Sequence, residues 1–268
     1  MISLQSGKVF NLFNDLLKLF YYTKDMRSLP LIFSFFALLS LPLQANQQQL
    51  KVAMFIEPPY VEFVNEQWVG DNIDIINLVT QDLNISIDYI HCPFARCLTM
   101  VKNGQADMMM SLLKSAKREE DLIFIEPPYL MQHHPLRFFT LNSRQLTINQ
   151  LNDLEGLLVG TIRGGAYFKE FDENKAIKKV AVTSHEQLIN MLLKGHIDTV
   201  IEREESIKPL ISSQDFQQKV SLAKYQYNQP VGSYIVFSKK STKQELAQLI
   251  SERLNAAIQK GIINPNRQ

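Results

Sequence analysis

From Leu50 onward the chain alternates apolar runs of strand length with amphipathic stretches of helix length. That alternation restricts the fold more than any other feature. Leu50–Ile56, Ala106–Leu112, Leu157–Thr161 and Ile197–Ile201 are apolar in near-continuous runs rather than at every second position. Such strands are buried on both faces, as in parallel sheets covered by helices. Further strands are predicted over 86–90, 122–125, 136–141, 179–182 and 232–238. Helices are predicted over 73–83, 95–102, 148–154, 185–194 and 242–260, and from Arg163-Gly164-Gly165 to about Asp172. The order predicts an α/β architecture with largely parallel sheets.

Two stretches repeat each other. Met100-Val-Lys-Asn-Gly104-Gln-Ala-Asp107-Met-Met-Met-Ser111 and Met191-Leu-Leu-Lys-Gly195-His-Ile-Asp198-Thr-Val-Ile-Glu202 both read as helix, Gly stop, Asp, then buried strand. In each, a polar residue stands seven positions after the Gly. A Gly stop is common enough for one chance match. The shared offset points instead to duplication and two similar lobes.

The run Leu29–Leu43 carries no charge and is shorter than the roughly 20 residues a spanning helix needs. Arg27 precedes it and Leu43-Gln44-Ala45 follows. That layout predicts a secretory signal region over residues 1–45, cleaved after Ala45. A buried helix or a retained anchor is the other reading. Met26 gives a signal peptide of ordinary proportions and is a candidate start; alternatively, Val9, Leu12, Phe13, Leu16, Leu17 and Phe20 line one face of an interfacial helix. Residues 46–268 contain no further run long enough to span a membrane, so a soluble periplasmic protein is expected. With 28 Lys+Arg against 27 Asp+Glu, nothing draws the chain to nucleic acid or an anionic membrane.

In an oxidising compartment the spacing of Cys92 and Cys97 can close a small loop; two free structural thiols are the alternative. Four intervening residues do not suit a thioredoxin-type site, and only His91 is near enough to assist a zinc site. The sequence has no nucleophile elbow, no His-Glu-x-x-His and no Walker A motif. His133-His134 are adjacent, so on a strand they point apart and make a poor metal pair. No cofactor or metal is expected.

The motif order resembles the extracytoplasmic solute-binding proteins of ABC importers, specifically the polar amino-acid-binding family. The resemblance rests on Val52–Tyr60, Trp68-Val-Gly70 leading to Asp74, Pro93–Arg96, Gly104-Gln-Ala-Asp107 and Ser111–Glu119. It continues through Pro128-Tyr129, Asp153-Leu-Glu-Gly156, Val159-Gly160 and Gly195-His-Ile-Asp198, spanning about residues 50–262. It implies a two-lobed periplasmic binding protein fold of type II, whose two sheets are joined by two crossover strands, near Pro135–Thr140 and Val231–Phe237. Lobe 1 would comprise residues 46–135 plus 233–268, and lobe 2 residues 136–232. A small carboxylate-bearing solute would be trapped between them, in a monomer that serves a membrane ABC permease.

The resemblance also implies site residues. Arg118 would fork onto the ligand carboxylate, which suits a guanidinium's parallel donors. Ser111 would line the cleft, while Leu113 departs from a position that commonly carries a hydroxyl. Tyr60 would lie against the ligand, held by Pro58-Pro59, and Trp68 would roof the pocket or pack on lobe 1. Asp74 and Asp107 read as caps and turn formers. In lobe 2, Thr161, Arg163, Gly164 and Gly165 would offer free N–H groups at a helix start. A strict count places Arg203 where the family has an Asp for the ligand's amino group; with a one-residue shortening Glu202 takes that place. Two other classes remain open. One is a periplasmic lyase on a small carboxylic acid, with Glu57, Glu126 or Glu202 as acid or base. The other is a sensing module for a separate partner.

Overall fold

The computed structural model describes residues 48–267. The expected signal region and its cleavage point lie outside the described residues. The described chain is organised around two separate sheets. The first contains β1 (Gln48–Met54), β4 (Ile85–His91), β5 (Met108–Leu113), β6 (Leu122–Phe124), β7 (Leu130–Gln132) and β13 (Val231–Ser238). Their order is β4-β1-β5-β13-β6, with β7 also beside β13. The second contains β8 (Leu136–Leu141), β9 (Leu158–Ile162), β10 (Lys178–Val182), β11 (Thr199–Glu202) and β12 (Val220–Tyr227), in the order β10-β9-β11-β8-β12. A small hairpin, β2 (Glu62–Val64) with β3 (Gln67–Val69), stands apart from both.

Each sheet has a parallel centre. β1 runs parallel to β4 and β5, and β9 runs parallel to β10 and β11. Antiparallel strands complete each one. β13 opposes β5, β6 and β7, and β8 opposes β11 and β12. The chain passes from the first sheet to the second between β7 and β8, and returns between β12 and β13.

Period-two alternation explains the continuous apolar runs. Met108 and Met110 of β5, with Val52, Met54, Ile235 and Phe237, join one core with helix α1 (Asp71–Thr80) and the closing helix α8 (Gln244–Gln259). Met109 and Ala53 point the opposite way, into a core with α2 (Phe94–Lys102). The second sheet divides likewise. Phe139 and Val200 pack with α5 (His185–Leu193), whereas Phe138 and Ile201 pack with Phe168 and Phe171 on the other face.

The repeated stretch forms the same device twice. After α2, Gly104 (φ 76°) and Gln105 donate to Val101 O and Met100 O; after α5, Gly195 (φ 69°) and His196 donate to Leu192 O and Met191 O. Only a left-handed residue turns the chain this way, which is why both stops are Gly. Asp107 N then donates to Lys51 O and its carboxylate accepts from Lys51 N at 2.8 Å. Asp198 does the same with Leu158, its carboxylate accepting at 2.7 Å. Each Asp clips its strand to the first strand of the parallel set. Asp107 also accepts from Ser241 Oγ (2.6 Å) and Lys243 Nζ (2.7 Å), tying the approach to α8 to the first sheet.

Some elements differ from expectation. The helix expected at Gly164-Gly165 begins only at Lys169, as the short α4 (Lys169–Glu173). Gly164, at φ 80°, makes a tight turn instead. The charged stretch after Arg203 forms α6 (Glu204–Ile211), despite Pro209 inside it, and α7 (Gln214–Lys219) comes next.

Candidate functional site

A cavity of about 460 Å³ opens where the carboxyl ends of the parallel strands of both sheets meet. Phe55–Pro58 follow β1, His91–Phe94 follow β4, and Ser111, Leu113 and Arg118 follow or end β5. From the other sheet come Ile162 at the end of β9 and Gly165–Tyr167 after it, Thr183–Glu186 after β10, and Glu202 at the end of β11 with Arg203 after it. Loops outside strand carboxyl ends are the usual ligand positions of α/β sheets. Much of the wall is apolar, through Phe55, Phe94, Leu136, Ile162 and Leu210 among others.

Ser111 is aimed by a break in β5. Its φ is 60°, rare for a residue with a side chain, and the pairing of β5 with β13 shifts register there. The bulge reverses the alternation, so Leu112 joins the core of Met109 rather than that of Met110. Three bonds hold the distortion. Asn72 Nδ2 donates to Ser111 Oγ (2.9 Å), Ser111 N donates to Tyr129 Oη (3.1 Å), and the two hydroxyls lie 3.1 Å apart. Asn72 and Tyr129 are wholly buried, and burial keeps the Tyr129 phenol protonated.

Arg118 lies in the single turn α3 (Ala116–Glu119) and is 6% exposed. Its Nη1 donates to Leu113 O (2.6 Å) and its Nη2 to Gly164 O (2.9 Å), across to the second sheet. Among the described residues no carboxylate forms an ion pair with it. Burial lowers its pKa to about 10, partly offset by Asp172, so it stays charged at neutral pH.

Carboxyl groups converge from both sides farther along. Glu57 stands on the turn after β1, fixed by Tyr60 N donating to Glu57 O (2.8 Å) and Glu57 N to Val61 O (2.9 Å). Its Oε2 is buried without a partner. Burial raises its pKa to about 7; Ser111 and His185 work against that rise and Glu202 adds to it. Glu202, 6% exposed, ends β11 and pairs with His185 Nε2 at 3.4 Å. Burial alone would lower the His185 pKa, but its bond to Glu202 and the charge of Glu57 hold it above the usual value. Arg203 is equally buried; its Nη1 donates to His134 O and its Nη2 has no partner. Burial lowers its pKa, against Glu202 and Glu205.

Of the residues singled out from sequence, Arg118, Ser111, Gly165 and Glu202 line this cavity together. Gly164 lies outside the wall, its carbonyl accepting from Arg118 Nη2. Tyr60 is half-buried against the core of the first sheet, and its carbonyl accepts from Asn72 N (3.1 Å). Trp68 sits on the hairpin beside Tyr89 and His91, with ring centroids 6.1 and 5.6 Å away. Thr161 is buried within β9. Arg163 lies outside the wall and donates to Ala181 O (3.4 Å). The disulfide Cys92–Cys97 closes the loop that carries Pro93 and Phe94 into the wall. Sequence reasoning missed Asn72 and His185. His185 follows the N-cap Ser184 directly after a parallel strand, a position that could have flagged it.

The sequence profile of the bacterial extracellular solute-binding proteins, family 3, matches residues 50–266. A probable histidine-binding protein of Campylobacter jejuni is 26% identical over 149 residues, covering 53% of this chain and 55% of that protein. The chain thus spans about half the length of this curated relative. Among solved structures, a mutant of ArgBP from T. maritima superposes with a TM-score of 0.66 at 16% identity, over 80% of this chain and 90% of that one. The amino acid ABC transporter substrate-binding protein AbpA from Streptococcus pneumoniae, bound to L-arginine, gives 0.63 at 21% identity with the same coverage. These structures share the two-lobed fold, and the family match covers both sheets and the cavity between them. The chain belongs to the bacterial extracellular solute-binding proteins of family 3.

Proposed function

We propose that this protein captures an amino acid or a close relative between its lobes in the periplasm and presents it to a membrane ABC permease. Lobe 1 comprises residues 46–135 with 233–268, lobe 2 residues 136–232, and export follows cleavage after Ala45. The observation that carries the reading is Arg118: a buried, charged guanidinium in the cavity wall that, among the described residues, forms no ion pair with a carboxylate. A ligand carboxylate completes it. Glu202, with Glu57 opposite and Ser111 between the lobes' strand ends, receives the amino group. Gly165 lines the lobe 2 side. Tyr60, Trp68, Thr161 and Gly164 act behind this surface, Tyr60 by setting the Glu57 turn. The names of relatives that bind histidine or arginine support an amino-acid ligand.

Calorimetry on protein unfolded and refolded to strip carried ligand, against a panel of amino acids and plain carboxylates, tests the reading. Arg118→Ala should weaken any hit at least 100-fold, since charge-assisted bonds contribute about 1.5–3 kcal/mol each, while leaving the melting temperature of the ligand-free protein within a few degrees. Undiminished affinity removes Arg118 from the site. Glu57, with its raised pKa, is the one feature that favours a lyase; recovery of the ligand chemically unchanged decides against it.

A further inference from the structure

The cavity holds a positive group that an amino-acid head leaves unused. Arg203 is 6% exposed and lines the wall beside Leu136, where the chain crosses between sheets. Its Nη1 is occupied by His134 O, and its Nη2 is buried with nothing to bond. The neighbouring acids are engaged elsewhere. Glu202 pairs with His185 at 3.4 Å, and Glu205 pairs through Oε1 with His134 Nδ1 at 2.9 Å, its Oε2 buried without a partner; both lie near enough to Arg203 to raise its pKa against burial. Among the described residues neither forms an ion pair with Arg203. Arg118 stands apart, between Leu113 O and Gly164 O at the ends of β5 and β9. A buried charged donor without an acceptor is costly, and an acceptor brought by the ligand removes that cost.

The charges of the wall agree. Its ionisable groups are Arg118, Arg203, His91, His185 and Tyr167 with Glu57, Glu186 and Glu202. Glu57, lifted to about 7 by burial, is largely neutral below that pH, which leaves two carboxylates facing two guanidiniums and the imidazoles. A zwitterionic ligand leaves this balance unchanged; an additional ligand anion is met by a guanidinium.

We propose that Arg203 is a second anion station, and that the preferred ligand carries a carboxylate beyond its amino-acid head: an acidic amino acid or a short acidic relative, not a cationic one. This rests on the amino-acid reading above and sets the protein apart from its histidine- and arginine-binding relatives. Arg203 is then a specificity-determining residue, separate in role from Arg118.

The test is calorimetry of the stripped protein with L-glutamate, L-aspartate, L-glutamine and L-arginine, in wild type, Arg203→Gln and Arg203→Lys. Wild type should bind an acidic ligand at least tenfold tighter than glutamine or arginine. Arg203→Gln should lose that preference while changing glutamine affinity less than threefold, and Arg203→Lys should restore part of it. Equal or tighter binding of arginine by wild type overturns the proposal, and needs no variant to fold. An equal loss for all ligands in Arg203→Gln also overturns it, since it marks Arg203 as structural. Both results leave the amino-acid reading standing. If wild type binds none of the four, the anion station falls; the amino-acid reading falls with it only if the wider panel also gives no hit.

Discussion

Replacing Glu57 by glutamine removes an ionisable group and keeps its shape. In the folded, ligand-free protein burial lifts this carboxyl from 4.5 to about 7. The folded state therefore holds the proton more tightly than the unfolded chain. Stability from this group is fully present below pH 4.5 and is lost as pH rises through 7. A lift of that size corresponds to about 3 kcal/mol. The difference in unfolding free energy between wild type and Glu57→Gln should change by that amount between pH 4.5 and 8, with wild type losing as pH rises. In a protein of this length the change amounts to roughly 6–12 °C in melting temperature. Urea unfolding of both stripped proteins at several pH values reads it directly, because other titrating groups are common to both. His185 faces Glu57, as do Glu202, Ser111, Tyr60 and Tyr129; burial lowers its own pKa, but Glu202 and Glu57 hold it above the usual value. Repeating the comparison in a His185→Gln background separates the two. A difference that stays constant with pH would refute the account of Glu57 as a buried, proton-holding acid.

Two further perturbations probe the packing. Asp107→Ala should cost about 3–5 kcal/mol, since it strands Lys243 and frees Lys51 N and Ser241. Burial raises the Asp107 pKa, but Lys243 and Ser241 pull it below the usual value overall, so its contribution is lost toward acid pH, opposite in sign to that of Glu57; unfolding curves at pH 3 and 7 check both points. Gly164→Ala should weaken ligand binding about tenfold. An added Cβ would lie 3.3 Å from Ala95 across the cleft, at a positive φ, so the contact between the two sides of the cavity is strained by about 1–2 kcal/mol; titration with the same ligand panel measures it.

Much of the fold was legible because the local signals agree. Continuous apolar runs marked the parallel strands, and the paired Gly-x-x-Asp stretches marked one device used twice. The offset of seven residues from each Gly reached Ser111 and Glu202, and both line the cavity. Elements with mixed signals escaped. β12, half-exposed and polar, reads as loop, and Pro209 masked α6. The site was less legible, because its members come from strand ends far apart in sequence. Which way Tyr60 faces depends on the turn that fixes Glu57, and the chemistry of His185 exists only beside Glu202. Arg203 stood out in sequence only as the wrong charge for the amino-group position; its burial and its bond to His134 O appear only in the fold.

The order of strands in the first sheet also dictates when each lobe can form as the chain emerges N-terminus first. The second sheet is drawn wholly from residues 136–227 and is complete once they are available. The first is not. Its inner strand, β13, pairs with β5, β6 and β7, and its covering helix α8 ends at residue 259. Until β13 and α8 arrive, Met108, Met110 and Val52 are covered by α1 alone and β5 has an open edge. The second lobe can assemble as a contiguous unit while the first waits, which makes the incomplete first sheet the exposed, aggregation-prone species of the folding reaction.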